Sequence, residues 1–324
     1  MQESIRPIYV LLLPHVQLLD CAGPSQVFFE AMLQGANYQL IFCGIDSVVT
    51  SAQGLVLQTQ SGLPEIQPEA TILIPGVQLD YYADLSTPID PKITHWLQAS
   101  AAAGCRIAAI CSGAFVLGEA GLLDNRPCTT HWSALELLQQ RYPKAQVRQN
   151  VLYIQADRII TSAGISTGID LALALVEQDY DALLVAKIAR QLVLYLRRSG
   201  QQTQHSVYLQ YRNHLHIGVH RVQDYLAEHL AETISLEQLA AIAKLSVRSL
   251  NRAFRTTLGL TPISYQQQLR LELAANLLHN PAWSIEHIAQ QVGFSDTRHF
   301  RRLWQRYFGT NPTQSRHTQE PNQC

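Results

Sequence analysis

No hydrophobic run in the chain is long enough to cross a bilayer. The apolar stretches, Tyr9 to Leu13 among them, stop far short of the ~20 residues a spanning helix needs. The amino terminus lacks a basic segment followed by an apolar one and a small-residue cleavage site, so a cytoplasmic protein with no membrane partner is expected. The six cysteines, Cys21, Cys43, Cys105, Cys111, Cys128 and Cys324, form neither CxxC pairs nor mixed Cys/His clusters. That excludes a zinc finger or a small disulfide framework, and neither metal nor cofactor is expected. Charged residues are scarce at 15% and balance to a formal −1, which excludes a uniformly basic nucleic-acid coat. With 47% hydrophobic residues the chain is not disordered, and 324 residues suggest about two domains.

The charge is not evenly spread. From His214 onward there are 11 Lys or Arg against 8 Asp or Glu, whereas the residues before it carry 13 against 17. The C-terminal third is the basic part.

In the first 200 residues short apolar runs alternate with helical patterns, the signature of a mostly parallel sheet covered by helices on both faces. Candidate strands are Ile8 to Leu13, Tyr38 to Cys43, Thr71 to Ile74, Arg106 to Ile110 and Arg158 to Thr161. A strand pair near Val147 to Gln155 would join the last of these as a hairpin through Ala156-Asp157. Candidate helices are Pro24 to Leu33, Pro91 to Ala103, Ala114 to Ala120, Ser133 to Arg141, Gly168 to Val176 and one long helix from Asp181 to Arg198. The polar stretch that follows, Ser199 to Ser206, has almost no apolar content. The expected organisation is therefore an α/β domain over 1–198, a linker over 199–213 and an all-α domain over 214–318.

The second domain contains an internal repeat. Ser235-Leu236-Glu237-Gln238-Leu239-Ala240 returns as Ser284-Ile285-Glu286-His287-Ile288-Ala289, an offset of 49. Arg248, Arg252, Phe254, Gly259 and Thr261-Pro262 then return at an offset of 50 as Arg298, Arg302, Trp304, Gly309 and Asn311-Pro312. Each copy starts with a Ser suited to cap a helix and carries an Ala where a second helix crosses closely. In each second helix an apolar stripe faces inward: Val247, Leu250, Phe254 and Leu258, then Phe300, Leu303, Trp304 and Tyr307. Arg248, Asn251, Arg252 and Arg255, then Thr297, Arg298, Arg301, Arg302 and Gln305, fall on the other face. A single arginine-rich helix is ordinarily a solvated face, but a duplicated one with the same side kept basic reads as a pair of helix-turn-helix units. Arg and Asn are the side chains that reach guanine and adenine edges bidentately.

The segment from about Val219 to Arg316 resembles the DNA-binding domain of AraC/XylS regulators. Ile288-Ala289-Gln290-Gln291-Val292-Gly293-Phe294-Ser295, then Phe300, Phe308-Gly309 and Pro312, carry the likeness. The resemblance implies seven helices, two of them entering successive major grooves of promoter DNA. Arg248, Asn251, Arg252, Thr297, Arg298, Arg301 and Arg302 are the implied DNA-binding residues, each Arg able to serve a phosphate or a base.

In the first domain the strand Arg106 to Ile110 runs into Cys111-Ser112-Gly113-Ala114 and a helix, the shape of a nucleophile elbow. That position is expected to expose the Cys111 sulfur and, at a helix N-terminus, to lower its pKa. Asp20 can reach the same crevice at the carboxyl ends of parallel strands, where open α/β sheets bind ligands. Residues from about Ile5 to Arg198 resemble the ThiJ/PfpI superfamily, with a flavodoxin-like fold of the class I glutamine-amidotransferase type, in the GlxA-like branch fused to AraC domains. Asp20 to Pro24, Ile74-Pro75-Gly76, Cys111 to Leu117, Ala120 to Asp124, Thr129 to Trp132, Ser162-Ala163-Gly164 and Gly168 to Asp170 carry this likeness.

Where hydrolytic members have a His after the elbow Cys, this chain has Ser112, so peptidase activity is not expected. The resemblance implies a transcription regulator, an activator by family habit, that binds a small nitrogenous metabolite at Asp20, Gly76, Cys111, Ser112 and His131 and pairs as a homodimer, with RNA polymerase a further partner. Two other uses of Cys111 stay open: a thiol-dependent enzyme akin to isonitrile hydratase, and a redox sensor. His131, beside Trp132 and before a helix, reads more readily as a capping or packing residue, Asp170 as a charge in a first helical turn, and Trp132 as core filling. Cys21, Cys43, Cys105 and Cys128 read as small buried hydrophobes, and Cys324 as a tail thiol.

Overall fold

The computed structural model describes residues 5–78, 89–149, 151–194, 198, 200, 204, 207, 211–212, 214–278 and 283–317. Contacts divide the chain into two units, residues 1–204 and 205–324.

The first unit is built on a seven-stranded sheet ordered β10-β11-β7-β6-β1-β2-β5. Its strands are β1 (Arg6–Leu11), β2 (Tyr38–Gly44), β5 (Gln60–Ser61), β6 (Thr71–Ile74), β7 (Arg106–Ile110), β10 (Tyr153–Ala156) and β11 (Ile159–Ser162). Every pairing is parallel except the β10–β11 hairpin. Two-stranded pieces, β3 (Val48–Thr50) with β4 (Val56–Gln58) and β8 (Pro127–Cys128) with β9 (Gln146–Val147), lie outside it.

Successive strand residues point to opposite faces, so the apolar strands feed two cores. Leu11, Ile72, Ile74, Ile107 and Ala109 face one; Ile8, Val10, Leu73, Ala108 and Ile110 face the other. Helices α2 (Pro91–Ala102), α3 (Gly113–Glu119) and α4 (Leu135–Arg141) cover the first core through Ile93, Leu97, Phe115 and Leu138. The second is covered by α1 (Leu18–Leu33), α5 (Thr167–Asp179) and α6 (Ala182–Gln191), through Val27, Phe28, Leu171, Leu175, Val185 and Ile188. The flavodoxin-like, mostly parallel α/β reading therefore holds.

Several local expectations change. Helix α1 starts at Leu18, not at Pro24, and takes Asp20 and Cys21 into its first turn; Pro24 lies inside it as its seventh residue, where it has no N–H to give the Asp20 carbonyl. The long helix from Asp181 to Arg198 stops at Gln191, and Val193 adopts φ +54. Residues near Val147 do not join the hairpin: Gln146–Val147 pairs with Pro127–Cys128, while Asp157 at φ +57 turns β10 into β11. Trp132 does not fill core; it is 53% exposed. Cys21, Cys43, Cys105 and Cys128 are buried thiols, and Cys324 lies outside the described residues.

Among the described residues the second unit has seven helices: α7 (Ile217–Glu228), α8 (Leu236–Ala243), α9 (Val247–Leu258), α10 (Pro262–Leu277), α11 (Ile285–Gln291), α12 (Thr297–Phe308) and α13 (Pro312–His317). The repeat is visible in the caps. Ser235 Oγ accepts from Gln238 N and Ser284 Oγ from His287 N. Gly259 and Gly309 end the second helices at φ +71 and +74. The offset changes inside the turns: Leu245 N bonds Ala240 O as Phe294 N bonds Ala289 O, both at 2.9 Å, but the next caps are Ser246 and Asp296. Ser295 is the inserted residue.

Each copy has its own core, one around Leu239, Leu250, Phe254 and Tyr265, the other around Ile288, Ala289, Phe300 and Trp304. Helix α10 feeds both, through Leu269 and Leu271. Its Arg270 donates to Leu230 O at 2.8 Å and Glu232 O at 2.7 Å in the first copy, and to Gly293 O at 2.7 Å in the second.

Candidate functional site

The crevice of the first unit forms where β1, β6, β7 and β11 end. Cys111 follows β7 directly and has φ +56, a strained backbone for a side chain with a Cβ. Its N–H donates to Ser162 O at 3.0 Å, and its carbonyl accepts from Thr130 Oγ1 at 2.7 Å. Gly164, at φ +85, lies so close over Cys111 that a side chain there would overlap its Cβ and Sγ. A Cβ on Gly76 would stand 2.5 Å from Asp20 Oδ2, 2.8 Å from Cys111 Cβ and 2.9 Å from Ser112 Oγ. Four of the expected residues are thus within one small space.

Asp20 is fully buried. Its Oδ1 accepts from Ile165 N at 2.5 Å, whereas its Oδ2 is buried without a hydrogen bond of good geometry. Burial pushes the carboxyl up to about 6, against relief from the Ile165 N–H, the facing Cys111 thiol and the Gly76 N–H.

Cys111 is at the elbow, but its sulfur is neither exposed nor activated. The residue is 7% exposed, and burial, followed by the Asp20 charge, pushes its thiol well above the ordinary range. The short helix α3 offers too little dipole to outweigh the loss of water and a neighbouring carboxylate. Ser112 is also committed elsewhere: its Oγ donates to Val77 O at 2.6 Å and accepts from Val77 N at 2.8 Å. His131 caps the 3-10 turn Trp132–Ala134, with Nδ1 2.7 Å from Ser133 Oγ, and its ring lies against Trp132.

Two features of this site were not read from the sequence. Asp170, taken there as a helix-end charge, holds Arg198: its Oδ1 accepts from Arg198 N at 2.9 Å and its Oδ2 from Arg198 Nη2 at 2.6 Å. Gln204 Nε2 donates to Thr130 O at 3.0 Å and Val151 O at 3.1 Å. Both residues follow the α/β elements in sequence, so only their long-range partners reveal them.

In the second unit the expected DNA-facing residues fall on α9 and α12. Arg248, Arg252 and Arg255 are exposed, and with Asn251 and Thr256 they line a shallow open concavity. Asn251 is half-buried, its Nδ2 donating to Val247 O at 3.1 Å. On α12 Arg298, Arg301 and Arg302 are exposed and Thr297 is half-buried. Arg301 pairs with Glu286 at 2.7 Å, but both side chains are about half exposed, so a phosphate can replace that partner at little cost.

An elbow-type α/β unit followed by paired helix-turn-helix units with exposed arginine faces defines a class of two-part DNA-binding protein. The DJ-1/PfpI family model matches residues 6–178, and a helix-turn-helix domain model matches residues 239–318. The chain is 33% identical over 227 residues to the HTH-type transcriptional regulator GbdR of Pseudomonas aeruginosa, covering 69% of this chain and 61% of GbdR. It is 32% identical over 231 residues to the regulator CdhR of the same species, covering 70% of this chain and 68% of CdhR. A ThiJ/PfpI family protein from Pseudomonas syringae shares the fold, with a TM-score of 0.53 at 20% identity over 74% of this chain and 91% of that one. The chain belongs to the DJ-1/PfpI family, in its branch of AraC-type transcription regulators.

Proposed function

We propose that the chain regulates transcription in the cytoplasm, binding promoter DNA through α9 and α12 and responding to a small nitrogenous metabolite held beside Asp20 and Cys111. Asp20 Oδ2 carries the ligand reading: a fully buried carboxylate oxygen without a well-formed hydrogen bond calls for a donor. An ammonium or amide N–H reaching Oδ2 would supply it, and a cation there would favour the ionised carboxyl. Arg248, Asn251, Arg252, Thr297, Arg298, Arg301 and Arg302 would divide base reading and phosphate contact between them. Pairing as a homodimer and contact with RNA polymerase belong to the same proposal. The buried, raised thiol of Cys111 speaks against nucleophilic or redox use, because both need a thiolate.

A thermal-shift screen of the full chain against small amines, amides and amino-acid derivatives tests the sensing reading. A compound that raises the melting temperature, is recovered intact and loses its effect in Asp20→Ala supports it. If the compound is consumed by the wild type and survives with Cys111→Ala, the protein is an enzyme instead.

A further inference from the structure

Arg302 is held on α12. Its Nη2 donates to Nδ1 of His299, one turn back on the same helix face, at 3.0 Å. A guanidinium can only donate, so Nδ1 is the bare nitrogen of the imidazole and the ring proton sits on Nε2. There the side-chain amide of Gln267, from α10, closes to 3.4 Å. A half-turn of that amide brings forward its oxygen, the acceptor the ring proton needs. Phe294, from the turn before α12, meets the imidazole edge-on with ring centroids 6.1 Å apart. His299 is thus placed by α10 and by the turn, and it places Arg302.

Held this way, Arg302 stays fit to read a base. Nη2 carries two protons, and whichever goes to His299, the other still forms a two-donor edge with Nη1 or with Nε. Guanine O6 and N7 call for such an edge presented in one plane, whereas a phosphate accepts from many directions and needs no aim. The neighbouring Arg301 is arranged differently: its partner is the half-exposed carboxylate of Glu286, which a phosphate can replace. The first copy also differs. Opposite His299 in the repeat stands Ser249, whose Oγ accepts from the cap residue Ser246 at 3.0 Å.

We propose that His299 is a positioning residue that aims Arg302 at a guanine edge in the major groove and so sets the sequence preference of the second helix-turn-helix unit. This rests on the reading of α12 as a DNA-facing helix. An arginine already ordered before binding loses less rotamer freedom on meeting its base, and only the base it is aimed at gains from that.

The test is selection by the full chain from a pool of random-sequence duplexes, then titration of the selected duplex and its single-base-pair variants. Arg302→Ala marks the base pair it reads: preference for guanine there should fall about fivefold or more, with the salt slope nearly unchanged. His299→Ala should lower preference at that same base pair by roughly two- to tenfold and leave the other positions alone. Combined with Arg302→Ala it should cost nothing further. His299→Asn, which keeps an acceptor near the place of Nδ1, should recover most of the preference. Gln267→Ala, which leaves α12 itself intact, should relax the same base pair and stands in should His299→Ala prevent folding.

Unchanged preference at the Arg302 base pair in His299→Ala would overturn the proposal. So would a uniform loss on every duplex, the mark of a structural role, or a relaxed preference at a different base pair, the mark of a direct reader. If Arg302→Ala relaxes no base pair and instead lowers the salt slope by about 1, Arg302 serves a phosphate. DNA binding by α12 then stands and the positioning role falls. If the wild type enriches no sequence, the reading of α12 falls and takes the proposal with it.

Discussion

Asp20 is a carboxyl kept from water with a pKa raised from 3.8 to about 6, so at neutral pH the folded chain carries its charge at a cost. Between those values the folded state binds more protons than the unfolded one, and stability therefore falls as pH rises from about 4 to about 6. A shift of about two units corresponds to about 3 kcal/mol. Asp20→Asn keeps an acceptor for Ile165 N–H but cannot ionise. Denaturant melts from pH 4 to 8 should show the wild type losing about that much more than the variant, and parallel profiles would reject the assignment. The residues of this crevice were partly legible: a Cys after an apolar strand and before small residues announces an elbow. The state of the thiol was not, because its pKa depends on Asp20, 91 positions away in the chain, and on the exclusion of water.

At the scale of the element, α9 and α12 present their arginines because their apolar stripes are taken up by the two cores, leaving one face to solvent. Arg252→Ala and Arg302→Ala should each weaken specific DNA binding by ~1–3 kcal/mol where the side chain reads a base. Gel-shift titration checks this, and undiminished affinity in both variants would count against the interface. Helix α10 sets the relation between the two copies, and Arg270 is its fastening, three donors from one guanidinium spread over carbonyls of both copies. Arg270→Ala should lower the stability of the second unit by about 1–2 kcal/mol, since it removes three charge-assisted hydrogen bonds to partly buried or exposed carbonyls, two of which Gln266 Nε2 still reaches. It should weaken binding to a full operator more than to a half-site carrying one recognition sequence, and equal losses on both would show that Arg270 serves stability alone. The repeat made these helices readable because capping and periodicity are local signals. Arg270 was not readable, since its partners lie 23 to 40 positions away.

Over the whole molecule a formal charge near zero conceals a basic C-terminal third, and binding through it should depend steeply on salt. Logarithmic plots of affinity against salt should be linear, and each arginine that serves a phosphate should, when replaced by Ala, reduce the slope by about 1. An arginine that reads a base should leave the slope nearly unchanged and relax sequence preference instead. Such titrations sort the seven expected DNA-binding residues into positioning and reading roles.

By itself the sequence determined the two-part architecture, the parallel sheet, the duplicated helix-turn-helix and the presence of an elbow cysteine. Each of these is written in spacing, capping or short-range pattern, which the chain carries without folding. Tertiary structure alone decided that the Cys111 thiol is buried, that Ser112 is spent on Val77 and that the chain after α6 is clamped at Arg198 and Gln204. Those outcomes depend on desolvation and on hydrogen bonds between residues far apart in sequence, quantities that exist only once the strands and loops have been brought together.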